Sequence, residues 1–361
     1  MTADATYPAR PETGADDTGD VQDPAAARRA VAARFAALTC AGDPAGGAGP
    51  PLAEVPLRRP RRTAARLRAL YELGRADLSL ARLAEGHLDA VAILDEVAGA
   101  PVGPGERWAV WAARPPAPAP GARCLDGRWL LDGVRPYCAG AHCCTHALVS
   151  ADAVDGRRLF AVRLAQSGVR PVAGSRRAVG MAGSDACDVA FTAAEGVPVG
   201  GVGAYTDRPG SEHAAAGVAA CLLGGARAVA ETLYASARRR TQDAFGAAHL
   251  GAVDTLLSSA VTVLERAARD IDADPLDARG AARIRGLRVQ ALAELVCAEV
   301  LAHVGRGAGG TPLCHDARHA RAAADLSVLM RLHPVERGLA ELGRLFCARD
   351  DNGNDGGEDV R

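Results

Sequence analysis

Lysine is missing from the chain altogether, so all 42 basic residues are arginine. The absence excludes chemistry: a P-loop needs a lysine on its phosphates, and pyridoxal-phosphate enzymes and Schiff-base aldolases need a lysine amine. Aromatic residues are scarce, at 4%. Small aliphatic side chains must therefore build the core, which closely packed alanine-rich helices do at little conformational cost. No apolar run approaches the ~18 residues of a membrane span, and the amino-terminal MTADATYPARPETGADD is acidic and polar, the opposite of a secretory leader. A cytoplasmic location without membrane insertion is expected. Ten cysteines in 361 residues are too dilute for a disulfide framework and are expected as thiols. Net charge is -1, with the arginines interleaved among Asp and Glu, which implies neither nucleic acid nor an anionic membrane as a partner. A G-x-G-x-x-G after a strand and a G-x-S-x-G elbow are both absent, so a Rossmann NAD site and a serine hydrolase are unsupported.

What remains is an ordinary globular composition, 48% hydrophobic and 24% charged, in a chain longer than one hydrophobic core accommodates. Residues 1–25 and 349–361, rich in Asp, Gly, Pro and Thr without apolar periodicity, are expected to be disordered tails. Residues 26–106 read as an N-terminal helical domain. Apolar residues recur three and four apart from Ala26 to Leu38 and from Leu67 to Val97, with Thr63 as an N-cap and Gly74 and Gly86 as breaks. Residues 107–204 change texture. Short alternating runs (WAVWAA, RWLLDGVRPYC, THALVSA, RLFAVRL, CDVAFTA), punctuated by Asp126-Gly127, Asp132-Gly133 and Asp155-Gly156, predict a small antiparallel β domain. In residues 205–348 the helical period returns in four segments, 212–240, 247–272, 277–306 and 315–347, separated by Gly246, Asp274-Pro275 and residues 307–312. Connections this short force antiparallel neighbours, hence a C-terminal four-helix bundle. Pro334 must break its last helix, which leaves His333 at the seam. The predicted fold class is α+β, mostly α.

Two stretches carry a family resemblance. DGRWLLDGVRPYCAGAHCCTHALVSA is similar to the strand pair G-x-(aromatic)-x-(I/L)-x-G-x-K-x-(W/Y)-(I/C)-(T/S)-(N/G)-(G/A) of the acyl-CoA dehydrogenases, and AVGMAGSDACDVAFTAAEGVP resembles that family's G-M-x-(G/A)-(S/T)-x-(S/T)-x-x-(V/L)-x-F-x-(D/N)-V-x-V-P. The order helical domain, β domain, four-helix bundle is also the family's, and the likeness covers about residues 63–345. It implies an FAD-dependent acyl-CoA dehydrogenase-like oxidoreductase acting on the CH-CH group of an acyl-CoA or similar thioester. By resemblance, Tyr137, Cys138 and Ala139 lie beside the flavin ring. Trp111, Ala113 and Pro115 occupy the first flavin loop, where the family's T-E-P-x-A-G-S-D is here Ala113-Arg114-Pro115-Pro116-Ala117-Pro118. Arg239 falls near the R-x-x-F-G arginine that reaches the FAD diphosphate across a subunit interface, and Gly309 and Gly310 near the G-G-x-G turn. A homo-dimer or tetramer follows from that sharing.

The family's catalytic carboxylate, the Glu of Y-E-G-T, corresponds to His333, with Glu336 the nearest carboxylate. A histidine suits proton exchange near neutrality, and related flavin monooxygenases carry one in that neighbourhood. The alternatives are therefore a monooxygenase fed by a flavin reductase, rather than a dehydrogenase passing electrons to an acceptor, and a non-catalytic relative that has lost flavin and serves as an oligomeric scaffold. Three further groups invite a functional reading. Cys138-x3-His142-Cys143-Cys144-x-His146 has zinc-compatible residue types, but strand alternation splits them between two faces, and buried thiols are expected instead. His315 and His319 stand four apart, on one face of a continuous helix, without the Glu of H-E-x-x-H; a solvated helix start is expected. Glu85-Gly86-His87 reads as a close helix approach, with His87 as a possible substrate-side residue. No metal is called.

Overall fold

The computed structural model describes residues 23–39, 63–112, 119–239, 241–332 and 335–351. Most of both expected tails lies outside these residues. Helix α1 (Pro24–Thr39) begins on a proline behind Asp23, whose carboxylate accepts the Ala25 N–H at 2.8 Å. Helices α2 (Thr63–Ala76) and α3 (Leu78–Ala98) are divided neither at Gly74 nor at Gly86 but at Asp77, an extended residue (φ -165°) that caps α3 by accepting the Leu80 N–H at 3.1 Å. Thr63, expected as a cap, gives its hydroxyl to the Asp272 carboxylate.

After a short α4 (Ala204–Asp207) come α5 (Gly210–Arg239), α6 (Ala244–Ala273) and α7 (Ala282–Ala308). Gly246 is not a separator, because α6 starts earlier, behind Asp243, which accepts the Gly246 N–H at 2.7 Å. The fourth predicted bundle segment is not one helix. It consists of α8 (Thr311–His315), α9 (Ala317–Leu329), a 3-10 turn at Met330–Leu332 and α10 (Val335–Asp351). Asp316 divides the first two by capping α9 through the His319 N–H at 3.0 Å, so His315 and His319 do not share a continuous helix as expected. His333 and Pro334 lie outside the described residues. Helix α10 also carries helical backbone past residue 349.

The strands are β1 (Trp108–Trp111), β2 (Gly121–Leu125), β3 (Arg128–Cys138), β4 (His146–Ala153), β5 (Gly156–Arg163), β6 (Val169–Pro171) and β7 (Cys187–Pro198). Pairings β4–β2–β3–β7–β5–β4 close a ring, with β1 added on β4 and β6 on β7. The expected all-antiparallel sheet is corrected at β1, which pairs in parallel with β4 from Trp108↔His146 to Trp111↔Val149, and at the single parallel pair Gly121↔Asp152. The β2–β3 hairpin intervenes between β1 and β4, so the chain crosses over and enters β4 in the direction of β1. Asp126 (φ 48°) and Gly127 (φ 78°) make the β2–β3 turn, and Asp155-Gly156 makes the β4–β5 turn. Asp132-Gly133 is not a turn. It is a bulge within β3, where Gly133 takes φ 126° and Asp132 accepts the Ala193 N–H at 2.7 Å.

One core joins Leu67 and Leu70 of α2 and Ala81 and Leu88 of α3 to α5, α6, α7 and α9. A second fills the strand ring with Leu131, Phe160, Val162 and Phe191, and takes in Val31 and Phe35 of α1 and Leu80 and Leu83 of α3. A third packs Ile93 and Leu94 of α3 on Trp108 and Leu148. Helix α3 is thus buried on every side, as a helix wedged between ring and bundle must be. Close crossings replace the missing aromatics: a Cβ on Gly74 of α2 would stand 2.5 Å from the Cys221 carbonyl of α5. Helices α5 and α6 are each long and apolar enough to cross a bilayer by length and composition. The most apolar stretch of α5 is 67% buried in the protein and that of α6 only 22%, so α6 turns an apolar face outward.

Candidate functional site

Two of the segments expected around a flavin ring meet. Trp111, buried at the end of β1, donates its indole N–H to the Ala139 carbonyl at 2.9 Å. Tyr137, two residues before Ala139, holds φ 59° and exposes 78% of its surface, while Cys138 is buried, its thiol pushed up by that burial. Ala113 and Pro115 lie outside the described residues. Arg239 is exposed at the end of α5, and Gly309 (φ 68°) and Gly310 follow α7 with open space where a Cβ would stand. These groups sit at different levels. Leu80 and Leu83, which pack in the same cluster as Trp111, flank Ala81, whose carbonyl accepts the Cys221 thiol of α5, and Arg239 is five helical turns farther along α5, about 27 Å. Glu336 is exposed in the first turn of α10, where its charge helps raise the Glu294 carboxyl, itself lifted first by burial.

The residues of the Cys–His run turn to separate partners. His142 is held twice by Asp185, through its backbone N–H at 2.6 Å and Nδ1 at 2.9 Å, whereas His146 stacks on Trp108 with centroids 4.7 Å apart. His319 is buried against the Thr232 hydroxyl at 2.8 Å, a correction to the solvated position expected for it. His87 is fully buried; Nδ1 accepts the Trp108 N–H at 3.2 Å, and burial pulls its pKa down to about 4.

Two clefts hold buried charged groups. The inner one, about 350 Å³, lies between the end of β1 (Val110, Ala112), α3, the start of α5 and α7. Glu85 and Asp89 of α3 line it although they are only 4% and 7% exposed. Arg82 pairs with Glu85, and Arg208 reaches Asp89 at 3.2 Å and Glu96 at 3.0 Å. Burial, with the Asp89 charge adding to it, raises the Glu85 carboxyl against the pull of Arg82 and Arg66. The outer cleft, about 600 Å³, lies between α1, residues 172–187 and α9. It contains the His142–Asp185 pair and Asp325, whose pKa burial raises to about 6 although Asp325 accepts the Met181 N–H. Both clefts gather groups of the kind found at reactive sites. Of these, Glu85 and His142 drew notice in the sequence. The signal for the rest was charge at Asp89 on a helix apolar all round, and at Arg66 on the helix before it.

No protein-family model and no curated protein matches the chain. Its fold is that of the acyl-CoA dehydrogenase-like flavoproteins. Similar solved structures include TdsC, the dibenzothiophene monooxygenase of Paenibacillus sp. A11-2, in complex with FMN and indole (TM-score 0.70, 18% identity, 91% of this chain and 96% of that one). The steroid acyl-CoA dehydrogenase Tcur3481–Tcur3483 (TM-score 0.66, 19% identity, 92% and 91%) and FkbI, of methoxymalonyl extender-unit biosynthesis (TM-score 0.68, 17% identity, 90% and 99%), share the fold as well.

Proposed function

We propose that the chain is a flavin-dependent oxidoreductase that acts on the CH-CH group of a small acyl thioester such as an acyl-CoA. The observation that carries this reading is the inner cleft, which opens beside Ala112 at the end of β1 and has two buried carboxylates in its wall. The residues suit a flavin shared between two copies of the chain. Tyr137 offers an exposed aromatic face for the ring on a segment that the Trp111–Ala139 bond anchors, while Arg239 and the open glycines at the far end of the bundle suit phosphates. The outward apolar face of α6 supports a homo-dimer or tetramer. FAD is the proposed cofactor, and it supplies the two-electron chemistry. The chain's own groups bind the acyl part in the inner cleft, exclude water and take the α-proton, for which His333 is the proposed acceptor with Glu336 nearby. The proposed setting is the cytoplasm.

A second reading, a monooxygenase supplied by a flavin reductase, is favoured by the histidine at 333 in place of a carboxylate and by the fold's likeness to TdsC. The visible spectrum tests both. Purified protein mixed with FAD or FMN should retain an absorbance band near ~450 nm through gel filtration; no band with either flavin removes both readings and leaves the oligomeric scaffold. Anaerobic bleaching by an acyl-CoA supports the dehydrogenase. Oxygen uptake with reduced flavin, without bleaching, supports the monooxygenase.

A further inference from the structure

The wall of the inner cleft is wrong for an alkyl chain. Glu85 and Asp89 line it, with the Arg283–Glu212 pair (3.0 Å) and Gln290. Behind them Arg66 and Arg208, 5% and 6% exposed, close the network; Arg66 lies in the field of both Asp89 and Glu85. Burying this many ions costs several kcal/mol apiece before pairing, and apolar residues of equal volume would hold α3 against α5 at least as well. The charges are therefore better explained by what the cleft holds than by what they do for the fold.

Each carboxylate in the wall already has an arginine: Arg82 on Glu85, Arg208 on Asp89 and Arg283 on Glu212. A charged ligand group would leave one ion uncompensated. An uncharged group that donates a hydrogen bond would not, and carboxylates accept such bonds strongly. The cleft is also small: about 350 Å³ holds roughly a dozen water-sized groups, enough for a short chain.

We propose that the inner cleft selects a short acyl group bearing a hydroxyl, held by Glu85 and Asp89, over an unsubstituted alkyl group. This rests on the reading of the cleft as an acyl site. A site built to bond a hydroxyl rejects the analogue lacking it, because its own buried polar groups are then left unpaired.

Two arms separate the proposal from that reading. In the first, the full chain is titrated by ligand-observed NMR with 1,3-butanediol and with 1-butanol. The diol is expected to bind at least about tenfold more tightly, and Glu85→Gln to bring the ratio near one with circular dichroism unchanged; if Glu85→Gln does not fold, Asp89→Asn is read instead. Equal or tighter binding of butanol in the wild type, which needs no variant, overturns the proposal, as does a ratio that survives both substitutions. In the second arm, 3-hydroxybutyryl-CoA is compared with butyryl-CoA by calorimetry. Preference for the hydroxylated thioester supports both ideas. A diol preference with neither thioester bound sinks the acyl reading while hydroxyl selection stands, and a preference for butyryl-CoA overturns hydroxyl selection while the acyl reading stands.

Discussion

Replacing Gly74 by alanine puts one methyl group into the α2–α5 crossing. That Cβ would lie 2.5 Å from the Cys221 carbonyl oxygen and 3.3 Å from both the Cys221 carbonyl carbon and the Gly224 Cα. Every neighbour is backbone, so no side chain can swing away. Restoring an ordinary contact requires the helices to part by about 0.9 Å, and a gap of that size forfeits a quarter to a half of the dispersion between the facing surfaces. On α2 those surfaces belong to Leu67 and Leu70, 4% and 0% exposed, each worth about 1.5–3 kcal/mol when buried. The lost contact and overpacking together cost roughly 3 kcal/mol, offset by about 1 kcal/mol from the better helix propensity of alanine. Gly343 is the internal control. It lies within α10 with nothing inside 4 Å of its would-be Cβ, so Gly343→Ala should stabilise by about 1 kcal/mol. At about 2 °C per kcal/mol for a chain of this size, thermal melts should place Gly74→Ala roughly 6 °C below Gly343→Ala and below the wild type. If the two variants shift together, the crossing is looser than described and the reasoning fails.

Asp325 has a folded pKa of about 6, above the ~3.9 of an unfolded aspartate. Its contribution to stability is therefore present in acid and lost as pH rises through 6, with an upper bound of roughly 3 kcal/mol. Asp325→Asn retains an acceptor for the Met181 N–H and removes the titration, so urea midpoints of wild type should fall relative to the variant between pH 4.5 and 7; a difference independent of pH contradicts this. His87, pulled down to about 4, is a base with a depressed pKa: its stabilisation holds above the unfolded value and fades as pH falls towards 4. Its ring carbons should show no NMR titration between pH 5.5 and 8. Arg208→Met strands the Asp89 and Glu96 carboxylates in the interior and should cost about 3–5 kcal/mol in chemical denaturation. Adding Asp89→Asn and Glu96→Gln should recover most of it, and a single-variant loss below about 1 kcal/mol would show that the pairs are well hydrated.

Local turn chemistry was readable where it acts locally. Asp126-Gly127 and Asp155-Gly156 reverse the chain because only short-range backbone geometry is at stake there. Asp132-Gly133 has the same composition but sits where β3 continues along β7, and the Ala193 N–H that fixes its bulge is far away in sequence. Gly74 misled for the same kind of reason: its missing side chain serves α5, not the end of α2. At the candidate site Trp111 and Ala139, each singled out by resemblance, meet through one hydrogen bond. The charge network had no such pointer. Arg66, Asp89 and Arg208 come from α2, α3 and the turn before α5, each alone an unremarkable charged residue, and Glu85 stood out only for the Gly86-His87 beside it; their shared burial gives them meaning.

Helix α3 touches all three cores and has no solvent-facing side along most of its length. A surface helix can bend, shift or repack against water; α3 has no such slack. The strand ring and the bundle cannot change their relative angle without opening close-packed contacts on both sides at once. Breathing motions that admit a ligand are therefore expected from the outer elements, with the amides of the buried stretch of α3 among the slowest to exchange with solvent.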